Sequence, residues 1–417
     1  MLKNVYENKT LFFKGPYTIT FKEGIFEIFG AQPDRDEKIV IPENKQVPVM
    51  VLKQGKIEVA ENYPKGVTEV NGYPIPVSWD KLVEKIVKNN LNTILILGAT
   101  DSGKSTLTHY LVNRLVAQNK SVGVVDADLG QSNIGVTGTL GLAIFENKIY
   151  NMQDAKIFKS HFVGGFSPSL HCMEVLIGLK KLVATGLMNS NVVLIDTTGL
   201  IDGDNGRALK LAKIELLNPD LVVAIQKKDE CEHLLKNLNN QRIFKVGLSY
   251  YVREKTTEER KLNRKAALAK ALANSKSMKL SINKIKLRGC YYTTGEKLEI
   301  PENFSNIILH LEKYSKREGT LVVLKKQIDS KKKKELAEKF GKLKIFVAGQ
   351  EANVLVGLLN ENNDYIGSGI LEKIDFAREN IYLQSNVDAS QIKSIVIGSV
   401  RCDLEGNEYG YFEPGIF

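Results

Sequence analysis

The eight residues Gly98-Ala99-Thr100-Asp101-Ser102-Gly103-Lys104-Ser105 constrain this chain more than any others. They satisfy G-x-x-x-x-G-K-[ST] at every fixed position. The context agrees: an apolar run, Thr93-Ile94-Leu95-Ile96-Leu97, precedes them, and Thr106 to Val116 follow with a helical pattern. Glycines let the backbone wrap tightly and turn its N–H groups inward, and the N-terminus of the next helix favours an anion. This is a phosphate cradle, with Gly98 to Thr106 expected to line a bound nucleotide. Lys104 should reach the β- and γ-phosphates, and the Ser105 hydroxyl should hold Mg²⁺.

The same strand–loop–helix order points to an α/β fold. Between residues 79 and 290, apolar runs of four to six residues alternate with longer helical segments. Besides the run before the loop they are Ser121-Val122-Gly123-Val124-Val125, Val192-Val193-Leu194-Ile195 and Leu221-Val222-Val223-Ala224-Ile225. Buried parallel strands joined by crossover helices have this pattern. Residues 1–78 differ: short apolar pieces such as Tyr17 to Phe21 and Val47 to Leu52 lie between Gly, Pro, Asn and Asp turns. Pro74, Pro76 and Ser78 then break the chain before a helix beginning near Asp80. From 291 to 417, β-branched runs return, as in Ile307-Ile308-Leu309, Thr320 to Leu324 and Ser394 to Ile397. The expected architecture is therefore a central P-loop NTPase domain with a parallel sheet, flanked by small β-rich N- and C-terminal domains. The Lys331 to Lys334 run is expected to be a solvated helix start.

Composition narrows the function classes. The 417 residues carry a formal net charge of +10, which is compatible with a polyanionic partner. The cysteines, Cys172, Cys231, Cys290 and Cys402, form no CxxC pair and no zinc-spaced cluster with histidine. No apolar run is long enough to span a bilayer, and the first ten residues are too polar for a signal peptide. A reduced, cytoplasmic protein with no membrane segment is the expectation.

Two strand ends supply carboxylates. The run Val122 to Val125 leads into Asp126-Ala127-Asp128-Leu129-Gly130-Gln131, and Val192 to Ile195 leads into Asp196-Thr197-Thr198-Gly199. Ligands of open parallel sheets lie at the carboxyl ends of strands, so these aspartates should face the γ-phosphate. Asp126 and Asp196 are expected to orient Mg²⁺. Either aspartate of the first pair could take a proton from an attacking hydroxyl. Arg253, Arg260 and Arg264 form a further group: Arg253 precedes a helical segment running towards Ala273, and Arg260 and Arg264 share one face of it. A guanidinium forks to match phosphate oxygens, so a helix folded over the loop could bring them to a transition state. Glu258 and Glu259 offer the alternative of ordinary ion pairs on a solvated helix. Gln226-Lys227-Lys228-Asp229 is only an imperfect match to a guanine-reading N-K-x-D segment, which argues against a P-loop GTPase.

Together these segments resemble the polynucleotide 5′-hydroxyl kinases of messenger-RNA cleavage, tRNA splicing and ribosomal-RNA processing, and look most like an archaeal member. The likeness rests on Gly98 to Ser105, Asp126 to Gln131, Phe162-Val163-Gly164-Gly165-Phe166-Ser167-Pro168-Ser169-Leu170-His171, Asp196 to Gly199, and the arginine helix, in that order. The resemblance implies ATP and Mg²⁺ as co-substrate and cofactor, and RNA or DNA with a 5′-hydroxyl end as acceptor; protein partners would be compatible with it. It makes Lys104, Asp128, Arg260 and Arg264 catalytic, with Asp128 as the base. It gives the acceptor strand to Gln131, Arg253 and a clasp of Ser167, Pro168 and His171. The clasp reads Ser-Pro-x-x-His where the family often has Thr-Pro-x-x-Asn. Leu200 stands where an aromatic often stacks on an acceptor base, a contact worth about 1–3 kcal/mol. An ATP-binding scaffold without transfer activity is the alternative within the same family.

Overall fold

The computed structural model describes every residue except 1, 44, 61–66, 237, 251, 253, 316, 414, 416 and 417. The N-terminal region is all β. Strands β1 (Leu2–Val5), β2 (Lys9–Lys14), β3 (Tyr17–Glu27), β4 (Lys38–Ile41), β5 (Gln46–Val59) and β6 (Val67–Asn71) form an antiparallel sheet of order β4-β3-β5-β2-β6, with β1 paired to β5. Alternate residues such as Leu11, Phe13, Ile19, Phe21, Val49 and Val51 turn to one core.

The central region contains α1 (Val77–Lys88), β7 (Thr93–Leu97), α2 (Lys104–Val116), β8 (Val122–Ala127), β9 (Thr139–Phe145), β10 (Ile157–Phe162), α3 (Cys172–Asn189), β11 (Val192–Thr197), α4 (Gly203–Leu217), β12 (Leu221–Ile225), α5 (Glu232–Leu235), β13 (Ile243–Val246) and α6 (Thr257–Leu272). Its seven-stranded sheet has the order β10-β9-β8-β11-β7-β12-β13. The four apolar runs of the sequence are its middle strands, β8, β11, β7 and β12, all parallel. The sheet is not wholly parallel: β9 and β10 continue it as an antiparallel edge. Only three residues of β10 are even partly covered short of Phe162, so it lacked the continuous apolar signal of a central strand. The chain passes from β7 to one side for β8 and β11, then to the other side for β12 and β13. The loop after β7 therefore opens at a topological switch point, where open α/β sheets bind ligands.

The remaining elements are β14 (Lys276–Ser281), β15 (Lys286–Arg288), β16 (Glu296–Lys297), β17 (Ile308–Lys313), β18 (Thr320–Leu324), α7 (Ser330–Phe340), β19 (Leu343–Val347), β20 (Val354–Leu359), β21 (Tyr365–Asp375), β22 (Asn380–Ser385), β23 (Ser394–Cys402) and β24 (Glu408–Tyr411). One sheet runs β14-β22-β21-β20-β23-β15, with β24 on β23; a smaller one runs β16-β17-β18-β19. Pairing of β14 with β22 and β15 with β23 draws residues 276–288 into the C-terminal sheet, although the sequence pattern had grouped them with the central region. The reason is that their partners lie about a hundred residues downstream, where no local pattern reaches. Lys331 to Lys334 are exposed at the start of α7, which is capped by Asp329 and buries only Leu336. No helix among the described residues is long and apolar enough to cross a membrane.

Candidate active site

The phosphate loop leaves β7 at Gly98, where an added Cβ would lie 2.5 Å from both Ser102 Oγ and Ile225 Cγ2. Gly103 caps α2 with φ +90°, a left-handed conformation that favours glycine. Gly199 presses on the same loop: its Cβ would meet Thr100 Oγ1 at 2.4 Å. The Asp196-Thr197-Thr198-Gly199 segment is thereby packed directly against the phosphate cradle. Lys104 is buried, and its Nζ donates to the Ala99 carbonyl across the loop at 2.7 Å. Burial pulls its pKa down, against the opposing pull of Asp196 and Asp128.

Adjacent parallel strands put Asp126 and Asp196 side by side in register. The two carboxylates behave differently. Asp196 accepts a hydrogen bond from the Ser105 hydroxyl; burial raises its pKa to about 6, while Lys104 and Ser105 pull it back. Asp126 is turned into its own loop. Its Oδ1 accepts from Asp128 N, and its Oδ2 accepts from Asn133 N, Ile134 N and the Ser132 hydroxyl. Burial, then the neighbouring Asp196, push the Asp126 pKa to about 7. Both Asp126 oxygens are thus taken up within the turn that presents Asp128, whereas Ser105 and Asp196 are paired with each other beside the loop. Asp128 Oδ1 accepts from Gly130 N and Gln131 N, which aims the half-buried carboxylate from the strand end.

The nucleotide and Mg²⁺ expected of this loop can be tested against the residues present. The Ser102 hydroxyl is buried in the loop and has no hydrogen-bond partner among the described residues, as suits a donor for a ligand oxygen. Ser105 and Asp196 provide the hydroxyl–carboxylate pair that Mg²⁺ takes together with phosphate oxygens and water. Among the described residues no cluster of three or more His, Cys, Asp or Glu forms a protein-only metal cage. The residues fit a Mg²⁺–nucleotide better than a resident metal.

Helix α6 lies over the loop. It opens with a capping box of Thr256 and Glu259. Asp101, itself at φ +54°, accepts from Lys255 N at 3.1 Å and is ion-paired with Arg260. The Gln131 side chain donates to the Arg260 carbonyl at 3.0 Å, joining the Asp128 loop to the same helix. Arg260 therefore does reach the phosphate loop. Arg264 does not: its guanidinium makes a forked ion pair with Glu408 of β24, at 2.7 and 3.2 Å, and packs over the Phe166 ring. Arg253 lies outside the described residues.

The clasp segment is also divided. Ser167 Oγ accepts from Ser169 N at 3.4 Å and Pro168 begins a single 3₁₀ turn, both beside the start of α3. His171 is buried, and its Nε2 meets Ser399 Oγ of β23 at 2.6 Å. It faces the C-terminal sheet, because the Gly164–Ser399 backbone contact brings β23 up against it. Residues that sequence reasoning missed are Ser399 and Glu408, whose long-range contacts leave no local trace, and Lys210 and Lys213. The two lysines do leave a trace. They fall on the stripe Leu209-Lys210-Lys213-Ile214-Leu217, the buried face of α4.

Comparison with known proteins agrees with this geometry. The profile of the mRNA cleavage and polyadenylation factor CLP1 P-loop family matches residues 98–272. A polyribonucleotide 5′-hydroxyl-kinase of Methanocaldococcus jannaschii is 31% identical over 77% of this chain and 90% of its own. One from Pyrococcus horikoshii is 32% identical over 77% and 89%. A solved structure of the Clp1p–Pcf11p complex has the same fold, with TM-score 0.65 at 12% identity over 96% of this chain and 98% of the Clp1p chain. At 31% and 32% identity over most of each relative's length, these matches show that the chain belongs to the Clp1-type polyribonucleotide 5′-hydroxyl-kinase family.

Proposed function

We propose that this chain transfers the γ-phosphoryl group of ATP to the 5′-hydroxyl end of RNA. The observation that carries the reading is the convergence of Lys104, Asp128, Asp196 and Arg260 on one phosphate loop, in a chain whose relatives are named for this activity. In the reaction, the 5′-oxygen forms a bond to the γ-phosphorus as the bond to the β,γ-bridging oxygen breaks. The hydroxyl proton goes to the Asp128 carboxylate. Lys104 would leave the Ala99 carbonyl for the β- and γ-phosphates, so that a bond within the loop is exchanged for one to the ligand. Bound through Ser105 and Asp196, Mg²⁺ would neutralise charge on the phosphate oxygens. Arg260 would exchange Asp101 for the transferring group, whose three oxygens suit its fork. Phosphoryl transfer needs positioning and charge neutralisation more than covalent chemistry, and these groups supply both.

The test is direct. With γ-labelled ATP, Mg²⁺ and a 5′-hydroxyl oligoribonucleotide, label should appear on the RNA and not on a 5′-phosphorylated control. A DNA oligonucleotide in parallel measures acceptor preference. Nucleotide binding without transfer to either would leave the ATP-binding scaffold reading.

A further inference from the structure

Helix α4 packs on the face of the central sheet opposite to the helix of the phosphate loop. Along β11, Val192 and Leu194 point into the core shared with Leu107 and Leu111 of α2. Val193 and Ile195 point into the core shared with Ile214 and Leu217 of α4. Successive residues of a strand alternate between faces, so Asp196 continues the α2 side and Thr197 the α4 side. On its side Asp196 accepts from the Ser105 hydroxyl.

On the other side Thr197 meets Lys210 of α4, a lysine that is fully buried. Lys210 Nζ donates to Thr197 Oγ1 at 2.8 Å and to the Thr198 carbonyl at 2.5 Å, and lies 3.3 Å from Thr198 Oγ1. The Thr197 hydroxyl passes the connection on: it donates to the Ile96 carbonyl of β7 at 2.8 Å, just before the phosphate loop begins at Gly98. Beyond Thr198, an added Cβ on Gly199 would lie 2.6 Å from Thr100 N of that loop. Lys210 therefore grips the two residues between Asp196 and Gly199. Burial, with Lys213 and Lys104 adding to it, pulls the Lys210 pKa well below its ordinary value. The grip does not need the third proton, because a neutral amine still donates to Thr197 Oγ1 and to the Thr198 carbonyl.

We propose that Lys210 is a positioning residue for the Mg²⁺–nucleotide. From the far face of the sheet it fixes the end of β11, so that Asp196 stays beside Ser105 and Gly199 stays against the loop. The inference rests on the reading of Ser105 and Asp196 as the pair that takes Mg²⁺, and not on phosphoryl transfer itself. Because Lys210 is wholly buried beneath the strand end, it acts through Asp196 and Gly199 and touches neither nucleotide nor RNA. Partners that orient a metal ligand from behind typically govern about 10- to 100-fold in metal affinity or activity.

The test is Lys210→Met in the full chain, which keeps side-chain length and removes the hydrogen-bonding group. Binding of a β,γ-methylene ATP analogue is followed by calorimetry in EDTA and across a Mg²⁺ titration, well below the melting temperature. The Mg²⁺ concentration that half-saturates the analogue-bound protein should rise about 10-fold or more, while affinity for the analogue in EDTA changes less than about threefold. Single-turnover transfer to a short 5′-hydroxyl RNA should show the same Mg²⁺ shift, with the KM for RNA unchanged. Thr197→Val is the second variant. It removes one contact of Lys210 and the link to Ile96, and should move the Mg²⁺ requirement in the same direction by less; Thr197→Ser, which keeps the hydroxyl, should restore it. An unchanged Mg²⁺ requirement in Lys210→Met, or equal weakening with and without Mg²⁺, would overturn the proposal. So would failure of both Lys210→Met and Thr197→Val to fold, which would make the contact a requirement of the fold alone. A wild-type protein that binds the analogue with Mg²⁺ but transfers nothing would sink the kinase reading, and the calorimetry would still decide this one.

Discussion

The site has two halves that are built differently. The donor half, from Gly98 to Ser105 with Asp126 and Asp196, is assembled at the ends of three adjacent parallel strands, with all of its contacts inside the central region. The half expected to take the acceptor, comprising the Ser167 to His171 segment and helix α6, is tied to the C-terminal sheet. His171 depends on Ser399, and Arg264 on Glu408. The difference teaches that the phosphate loop and its carboxylates are set within the central sheet, whereas the segments expected to meet the acceptor are shaped by the C-terminal sheet. Gln131 and Asp101 are the points where the halves meet, since both bond to Arg260 of α6.

Substitutions can break or sharpen that comparison. The largest effect is expected at Lys104→Ala, in the donor half. It should lower transfer by at least about 10³-fold, because both loop geometry and transition-state charge depend on one ammonium. A near-wild-type rate in the labelling assay would remove the loop from the mechanism. Asp128→Asn should follow, with nucleotide binding retained and turnover reduced about 10²–10⁴-fold, the usual range for a general base.

The arginines divide the halves most clearly. Arg260→Ala should lower single-turnover transfer about a hundredfold or more, within reach of what a guanidinium on a transferring phosphoryl contributes. Lysine should rescue it poorly, since a point charge lacks the fork. Arg264→Ala should cost less, because Arg264 is tied to Glu408 and fixes the helix on the C-terminal sheet. Equal losses at the two positions would show that Arg264 leaves Glu408 for the phosphate during turnover.

Two smaller effects concern stability. Asp126→Asn should destabilise the fold by about 1–3 kcal/mol, since an amide nitrogen cannot accept from Asn133 N, Ile134 N or the Ser132 hydroxyl. A thermal melt measures this, and a Mg²⁺ titration should show little change in the metal required. The opposite pattern would return Asp126 to the metal. Ser399→Ala should cost about 1 kcal/mol, the worth of a single neutral hydrogen bond, with turnover nearly unchanged. A large loss of turnover would mean that His171 reaches the acceptor after all.

Much of this was legible in the sequence because the chemistry is local. Four apolar runs named the middle strands, and strand-end placement alone brought Asp128 and Asp196 to the loop. Gly98 and Gly103 announced the loop by needing no side chain there. What each carboxylate does was not legible. Asp126 and Asp128 are two residues apart and chemically identical, and only the fold of residues 128–134 showed that the first is consumed by backbone N–H groups. The sequence by itself thus determined the phosphate loop, the α/β centre and the set of charged groups near it, since strand, loop and helix periodicities act over a few residues. The tertiary structure alone decided that Arg260 meets the loop while Arg264 meets Glu408, that His171 faces Ser399, and that residues 276–288 join the C-terminal sheet. Those choices depend on which distant strand packs against a side chain, and no local propensity carries that information.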